Sequence, residues 1–406
     1  MKIEQGRINF EYIGLIILAF FPIYPFFLLS VAIFIFVLLS IYSRFKYKNQ
    51  RQNRSSILIF AHVFFYLLLI IRLLFLGQLE EGFNYLQPSL SLIVFPIVWY
   101  FSNTTLSKKE RNNIFKYFTL SSFILGLYIL GFSVYNSIKL KQEFTIVGEN
   151  IKYLDIHSNY VSLYFLAAII FLVLGMKENN TNRKIMGILL IGFFLFLIFY
   201  LSSRIVLITL FIVLFLDLFK RVKISFFKKG IIVLIGITLV LGSIFFMKPL
   251  QKKVKETFST EEFTLPDKKF PTSLQIRLGV YSCTLPIIED NWLLGAGVIN
   301  FEEGINNCYS KFKNYDKIRY NSHNYYLFLL GSSGIFCLLS FVLLLYLHVK
   351  RALINKDFFY LYFIISIMIT LLTENFLSRV YGVIFFLFFL TVFVKSNKRE
   401  IKQNEK

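Results

Sequence analysis

Histidine occurs four times in 406 residues, cysteine three times, tryptophan twice and proline eight times. Acidic residues number 23 against 44 lysines and arginines. No Asp-x-Asp pair appears, which weighs against metal-dependent sugar-nucleotide transferases. A Walker-type glycine loop is missing, and so are internal repeats and low-complexity tracts. Cysteine settles little. Cys283 and Cys308 share a long polar segment and Cys337 lies in an apolar run. Pairing of the first two is open and requires that their segment face an oxidising compartment.

Hydrophobic residues, in contrast, make up 56% of the chain, with 50 phenylalanines. Apolar runs near 20 residues recur along its length. A bilayer core of about 30 Å needs about 20 apolar residues per helix, so the pattern predicts an all-α, polytopic membrane bundle. About twelve spans are expected, near 9–24, 25–43, 56–76, 84–103, 114–136, 153–175, 184–200, 203–219, 229–247, 322–348, 358–375 and 378–395. The organisation is an N-terminal bundle (1–247), a long loop (248–321) carrying short amphipathic helices, and a closing unit with a basic tail (322–406). No small-residue cleavage site follows the first run, so it is expected to be retained.

The net charge of +21 is a statement about topology and not about nucleic acid, because the basic residues sit in short loops. Loops on one side, with both ends, hold 26 lysines and arginines; the short loops opposite hold five. Both termini are therefore expected in the cytoplasm and residues 248–321 outside, with anionic inner-leaflet lipids as membrane partners. The first outer loop is only Ile23–Pro25 and carries no acidic pair.

Several polar residues fall at outer helix ends. Arg204 opens the eighth span and Arg379 the twelfth; His157 lies early in the sixth and His323 opens the tenth. A helix N-terminus carries partial positive charge, so cations there invite an explanation, and an anionic ligand held by helix ends and guanidinium groups is one. Snorkelling explains any single arginine equally well, and Glu374 offers Arg379 a salt-bridge partner. In the loop, Leu274, Leu278, Tyr281, Leu285 and Ile288 form an amphipathic stripe, interrupted near Pro286, with Arg277 off the stripe on a solvated face. Trp292 suits an interface. Asn321 or Ser322 is expected to cap the tenth helix. A neutral histidine there accepts a proton and suits a general base. Arg72 and Asp217 are the clear charges within or near spans, and both are expected to snorkel.

"SSR" (Ser202–Arg204), "RLGVY" (Arg277–Tyr281), "WLLGAGVINF" (Trp292–Phe301), "HNYYL" (His323–Leu327) and "GSSG" (Gly331–Gly334) together resemble the O-antigen ligase and O-antigen polymerase superfamily. "HSNY" (His157–Tyr160) is a weaker upstream feature, and the resemblance covers roughly residues 150–390. Ile205 departs from the small residue that often follows the "SR" pair. The resemblance implies a glycosyltransferase needing neither metal nor cofactor. Its donor would be a glycan on polyprenyl diphosphate and its acceptor a glycan or lipid-core hydroxyl, at the periplasmic side of a bacterial inner membrane. His323 would act as base. Arg204 and Arg277 would hold the diphosphate, with Asn324, Ser203, Tyr281, His157 and Arg379 in support. Ligation, repeat-unit polymerisation and transfer to protein are its variants; a polysaccharide-lipid transporter is the non-enzyme alternative.

Cysteine substitutions test the orientation. Asn103→Cys and Asn355→Cys are expected to resist a membrane-impermeant thiol reagent, and Lys313→Cys to react. The opposite labelling pattern would reject an outer-face site.

Overall fold

In a computed structural model, the chain is described over residues 9–46, 56–76, 79–102, 104–139, 150–151, 156–175, 181–220, 273–312 and 319–396, with 225, 227, 229, 230 and 238. The order is α1 (Phe10–Leu18), a 3-10 turn at Phe21–Ile23, α2 (Phe26–Lys46), α3 (Ser56–Phe75), α4 (Leu79–Leu86), α5 (Ser91–Phe101) and α6 (Lys108–Lys139). A two-residue antiparallel pair, β1 (Asn150–Ile151) and β2 (Ile156–His157), precedes α7 (Ser158–Gly175), α8 (Thr181–Tyr200) and α9 (Arg204–Lys220). Then come α10 (Ser273–Asn291), α11 (Val298–Tyr309), α12 (Tyr325–Ile354), α13 (Phe358–Thr370) and α14 (Val380–Lys395).

Among the described residues, the all-helical expectation holds apart from that short β pair. Among the described residues, α2, α3, α6, α7, α8 and α12 are long and apolar enough to cross a membrane, while Phe10–Ile23, α13 and α14 are shorter apolar stretches. The expected ninth span, 229–247, and the loop from 248 to 272 lie almost wholly outside the described residues. The expected fourth span is not one helix. Pro88 starts a 3-10 turn at Gln87–Ser89, and the following α5 has 11 residues. At 1.5 Å per residue that is about 16 Å, short of a bilayer core.

Local chemistry fixes the helix starts. Ser107 and Glu110 form a capping box at α6: the Glu110 N–H donates to Ser107 Oγ (3.2 Å) and the Ser107 N–H to Glu110 Oε2 (2.8 Å). Asp357 caps α13 by accepting from the Tyr360 N–H (3.1 Å). The same carboxylate takes a paired grip from Arg111 at 2.7 and 2.9 Å, which ties α6 to α13. Helix α14 is buried along nearly its whole length. Its phenylalanines stack into the other helices, with ring centroids of Phe363 and Phe389 at 4.5 Å and of Tyr360 and Phe393 at 4.6 Å.

The two charges expected to snorkel are partly or fully buried. The Arg72 guanidinium donates to the Gly295 carbonyl. Asp217 is buried in α9. Glu11, also buried, accepts from Ser102 and Thr104 and lies 3.5 Å from Lys395. The histidines other than His157 and His323 meet in the core, with His62 Nε2 and His348 Nε2 3.0 Å apart.

The segment around Trp292–Gly297 is sewn backbone to backbone into α12. The Ala296 N–H donates to the Gly331 carbonyl (2.8 Å) and the Gly297 N–H to Ser332 (2.9 Å). The Ile335 N–H donates to the Trp292 carbonyl (3.0 Å). Gly334 interrupts α12 with φ +82°, and Gly295 has φ +77°. A Cβ on Gly334 would lie 2.4 Å from the Leu293 carbonyl oxygen, and one on Gly295 2.5 Å from the Ser332 carbonyl. Both the backbone conformation and the close approach therefore require glycine. Gly334→Ala is expected to destabilise by about 1–3 kcal/mol, read by thermal denaturation in detergent. Gly131→Ala, with nothing within 4 Å of the added Cβ, is expected to leave stability within about 1 kcal/mol of the parent.

Candidate functional site

The site is built where β2 ends and α7 begins. His157 is half-buried, and its Nδ1 accepts from the Asn159 N–H (3.3 Å). The Asn159 side chain faces two ways. Its Nδ2 donates to Glu374 Oε1 at 2.7 Å, and its Oδ1 accepts from Ser203 Oγ at 2.5 Å. Glu374 Oε1 also takes Arg277 Nη2 at 3.2 Å. The start of α7, the start of α9, helix α10 and the segment after α13 thus converge on one carboxylate. Arg204 opens α9 immediately after Ser203.

A second strand of contacts brings in the start of α12. Tyr281, one turn beyond Arg277 on α10, lies beside Asn324. Burial raises the Tyr281 phenol and Arg277 opposes that rise, so the hydroxyl stays protonated at neutral pH. Asn324 Oδ1 accepts from the N–H groups of Tyr326 (2.9 Å) and Leu327 (3.1 Å), which makes Asn324 the cap. The expected caps do other work. Asn321 Oδ1 accepts from the His323 N–H (2.9 Å), while Ser322 Oγ donates to the Asn324 carbonyl (3.0 Å) and accepts from Asn375 Nδ2 (3.1 Å). His323 therefore stands outside the helix, half-buried, with φ +47°. Asn375 follows Glu374, so the His323 turn and the Arg277–Glu374 pair are anchored to adjacent residues.

Helix α10 differs from the expected pattern. It continues past Pro286 to Asn291. Its buried face is formed by Val280, Cys283, Thr284 and Ile288, and Leu285 is 48% exposed. A disulfide explains the rotation: Cys283 joins Cys308 of α11, with Cα atoms 5.6 Å apart, so the Cys283 face must turn inward. Arg277 is not on a solvated face. Its side chain is 26% exposed and that of Glu374 11%, so the pair is screened less than a surface pair. Glu374 thus pairs with Arg277, while Arg379 is exposed ahead of α14.

Side-chain contacts thus link Ser203 to Arg277 through Asn159 and Glu374, and Tyr281 lies beside Asn324; Arg204 adjoins Ser203, His323 adjoins Asn324, and His157 accepts from the Asn159 N–H. Asn159, Glu374 and Asn375 were missed from the sequence. Asn159 was visible inside "HSNY", but nothing local links it to Glu374, 215 positions away. Arg277 commits one terminal nitrogen to Glu374, and its buried Nε has no hydrogen-bond partner among the described residues. A guanidinium so placed has donor capacity left for an anion.

Residues 188–342 match the family described as O-Antigen ligase. The match supports the O-antigen ligase and polymerase superfamily. No curated protein matches the chain. The matched segment contains Ser203, Arg204, Arg277, Tyr281, His323 and Asn324. Asn159 and Glu374, which tie its parts together, lie outside it on either side.

Asn159 and Glu374 are expected to act as one unit. Glu374→Ala should lower stability by about 1–3 kcal/mol, and Asn159→Ala should cost less in that background than in the parent. A double-mutant cycle by chemical or thermal unfolding measures this. Strict additivity would mean that the hydrogen bond carries no coupling.

Proposed function

We propose that the protein transfers an oligosaccharide or polysaccharide from a polyprenyl-diphosphate carrier to an acceptor hydroxyl at the outer face of the cytoplasmic membrane. The observation that carries the proposal is the Glu374-centred network, which joins the start of α9 to Arg277 across a long stretch of sequence. The family match over residues 188–342, which include the start of α9 and Arg277, supports it.

On this reading, Arg204 and Arg277 hold the diphosphate. Arginine suits that role because its planar fork donates paired hydrogen bonds to phosphate oxygens. His323, on the far side of the sugar's anomeric carbon, takes the proton of the acceptor hydroxyl. The acceptor oxygen bonds to that carbon as the bond to the diphosphate oxygen breaks. The bonding pair leaves with the diphosphate, and the guanidinium groups offset its growing charge. One displacement inverts the configuration. Glu374 and Asn159 position Arg277 and the start of α9, and Tyr281 and Asn324 hold the turn that presents His323.

Turnover of purified enzyme with a lipid-linked glycan donor, followed across pH, tests this. His323→Ala is expected to lose about 10²–10⁴ in rate while retaining donor binding. Arg277→Lys should not restore full activity, because an ammonium lacks the fork. A near-normal rate for His323→Ala would reduce that residue to a structural turn. Deletion in the native host then separates the acceptors: unattached long polymer indicates ligation, single repeat units polymerisation, and glycan-free proteins transfer to protein.

A further inference from the structure

Helix α10 descends beside α12 and does not lie across its end. Tyr281 of α10 lies beside Asn324, the cap of α12. Eleven residues further along each segment, the Trp292 carbonyl accepts from the Ile335 N–H (3.0 Å). At 1.5 Å per residue, both have moved about 16 Å from the candidate-site end toward the middle of the bundle. Helix α12 is long and apolar enough to cross a membrane, and the first Lys, Arg, Asp or Glu after its start is Lys350. With one edge of a bilayer core of about 30 Å at Lys350, Ile335 stands about 22 Å across it, about 8 Å inside the other edge. Helix α3 gives a similar level. Its Arg72, which donates to the Gly295 carbonyl, is about 24 Å from Ser56, and Leu74 and Phe75 beyond it are exposed.

The irregular backbone at this level is fully partnered within the protein. The N–H groups of Gly295, Ala296 and Gly297 donate to the carbonyls of Asn291 (2.7 Å), Gly331 (2.8 Å) and Ser332 (2.9 Å). Their own carbonyls accept from Arg72, from Asn300 Nδ2 (3.1 Å) and from the Phe301 N–H (2.9 Å). A loop in water needs no such accounting; non-helical backbone at membrane depth does. The side chains just before it, Trp292, Leu293 and Leu294, are apolar and exposed. Phe336, Leu339 and Leu343 continue an exposed apolar surface along α12.

We infer that the turn between α10 and α11 is re-entrant, with Trp292–Leu294 inserted among the acyl chains of the leaflet on the candidate-site side. The long loop, expected wholly outside, then dips into the bilayer at its tip. Tryptophan suits a shallow depth of this kind, where one end of its ring is apolar and the other can reach the headgroup level. Glu289 and Asp290, both exposed, come just before the tip and limit how far it sinks. Side chains on a helix tilt toward its N-terminus, so these carboxylates lean back toward the candidate-site end and the headgroups. The insertion would hold α10, and with it Arg277, at a fixed height relative to the membrane surface. On the proposed reaction that is the height at which a lipid-linked donor presents its diphosphate; the insertion itself does not rest on that reading.

The test reads tryptophan fluorescence of the full chain in phosphatidylcholine vesicles. The chain has two tryptophans, Trp292 at the tip and Trp99, which is buried. Trp292→Phe leaves Trp99 as the sole emitter, so the difference from the parent isolates Trp292. The replaced ring is exposed, and circular dichroism is expected to stay unchanged. Phosphatidylcholine brominated along its acyl chains is expected to remove most of the Trp292 emission, and iodide in the aqueous phase to remove little of it. Phe336→Trp in the Trp292→Phe background calibrates the lipid-facing side of α12 and is expected to be quenched by the brominated lipid as well. Trp292 emission quenched by iodide and not by brominated lipid would put the tip in water. Emission quenched by neither would put it against protein, whether a second copy or another part of this chain. Either result would overturn the inference.

Discussion

The Glu374 carboxylate is the contact on which the candidate-site end of the bundle depends. It accepts from Asn159 and pairs with Arg277, and Asn159 in turn holds Ser203. Asn159 and Arg277 therefore share a single carboxylate oxygen, and Asn159 passes the connection on to the start of α9. In the partly buried setting of this pair, removing the carboxylate leaves a guanidinium and an amide without their acceptor, which costs more than the loss of a surface ion pair. Negative charge at this point also sets the local balance. Arg277 is held in place but not saturated, a condition suited to the proposed binding and release of a diphosphate.

A second constraint comes from glycine. The Trp292–Gly297 segment can lie against α12 only because Gly295 and Gly334 have no side chain and accept positive φ. That seam, tied further by Arg72 on α3, fixes α10 and α11 over the start of α12. The Cys283–Cys308 link closes the same unit from the other side. Together they hold the His323 turn, through Tyr281 and Asn324, near the arginine of α10. A disulfide between these helices is consistent with an outer segment facing an oxidising compartment.

Much of this was legible beforehand, for definable reasons. The expected 56–76, 203–219 and 378–395 spans fall close to Ser56–Phe75, Arg204–Lys220 and Val380–Lys395, because long apolar runs bounded by charge leave little choice. The expected 84–103 span failed at Pro88, where hydropathy alone ignores a missing N–H. The stripe on α10 failed because the buried face was chosen by a disulfide and by polar residues such as Thr284, not by leucine spacing. In a bundle meant for lipid, an outward face is as apolar as an inward one, so the central position of α14 left no periodic trace. The pairing of Asn159 with Glu374 was illegible for another reason: neither carries a motif's chemistry alone, and only the fold brings them within 2.7 Å.

The central claim is that Arg204, Arg277 and His323 serve one reaction. The most direct measurement is an experimentally determined structure of the protein with a polyprenyl-diphosphate-linked glycan bound. The account predicts the diphosphate between the Arg204 and Arg277 guanidinium groups, and the His323 ring on the opposite side of the anomeric carbon. A diphosphate bound away from both arginines, or a His323 ring on the leaving-group side, would contradict it.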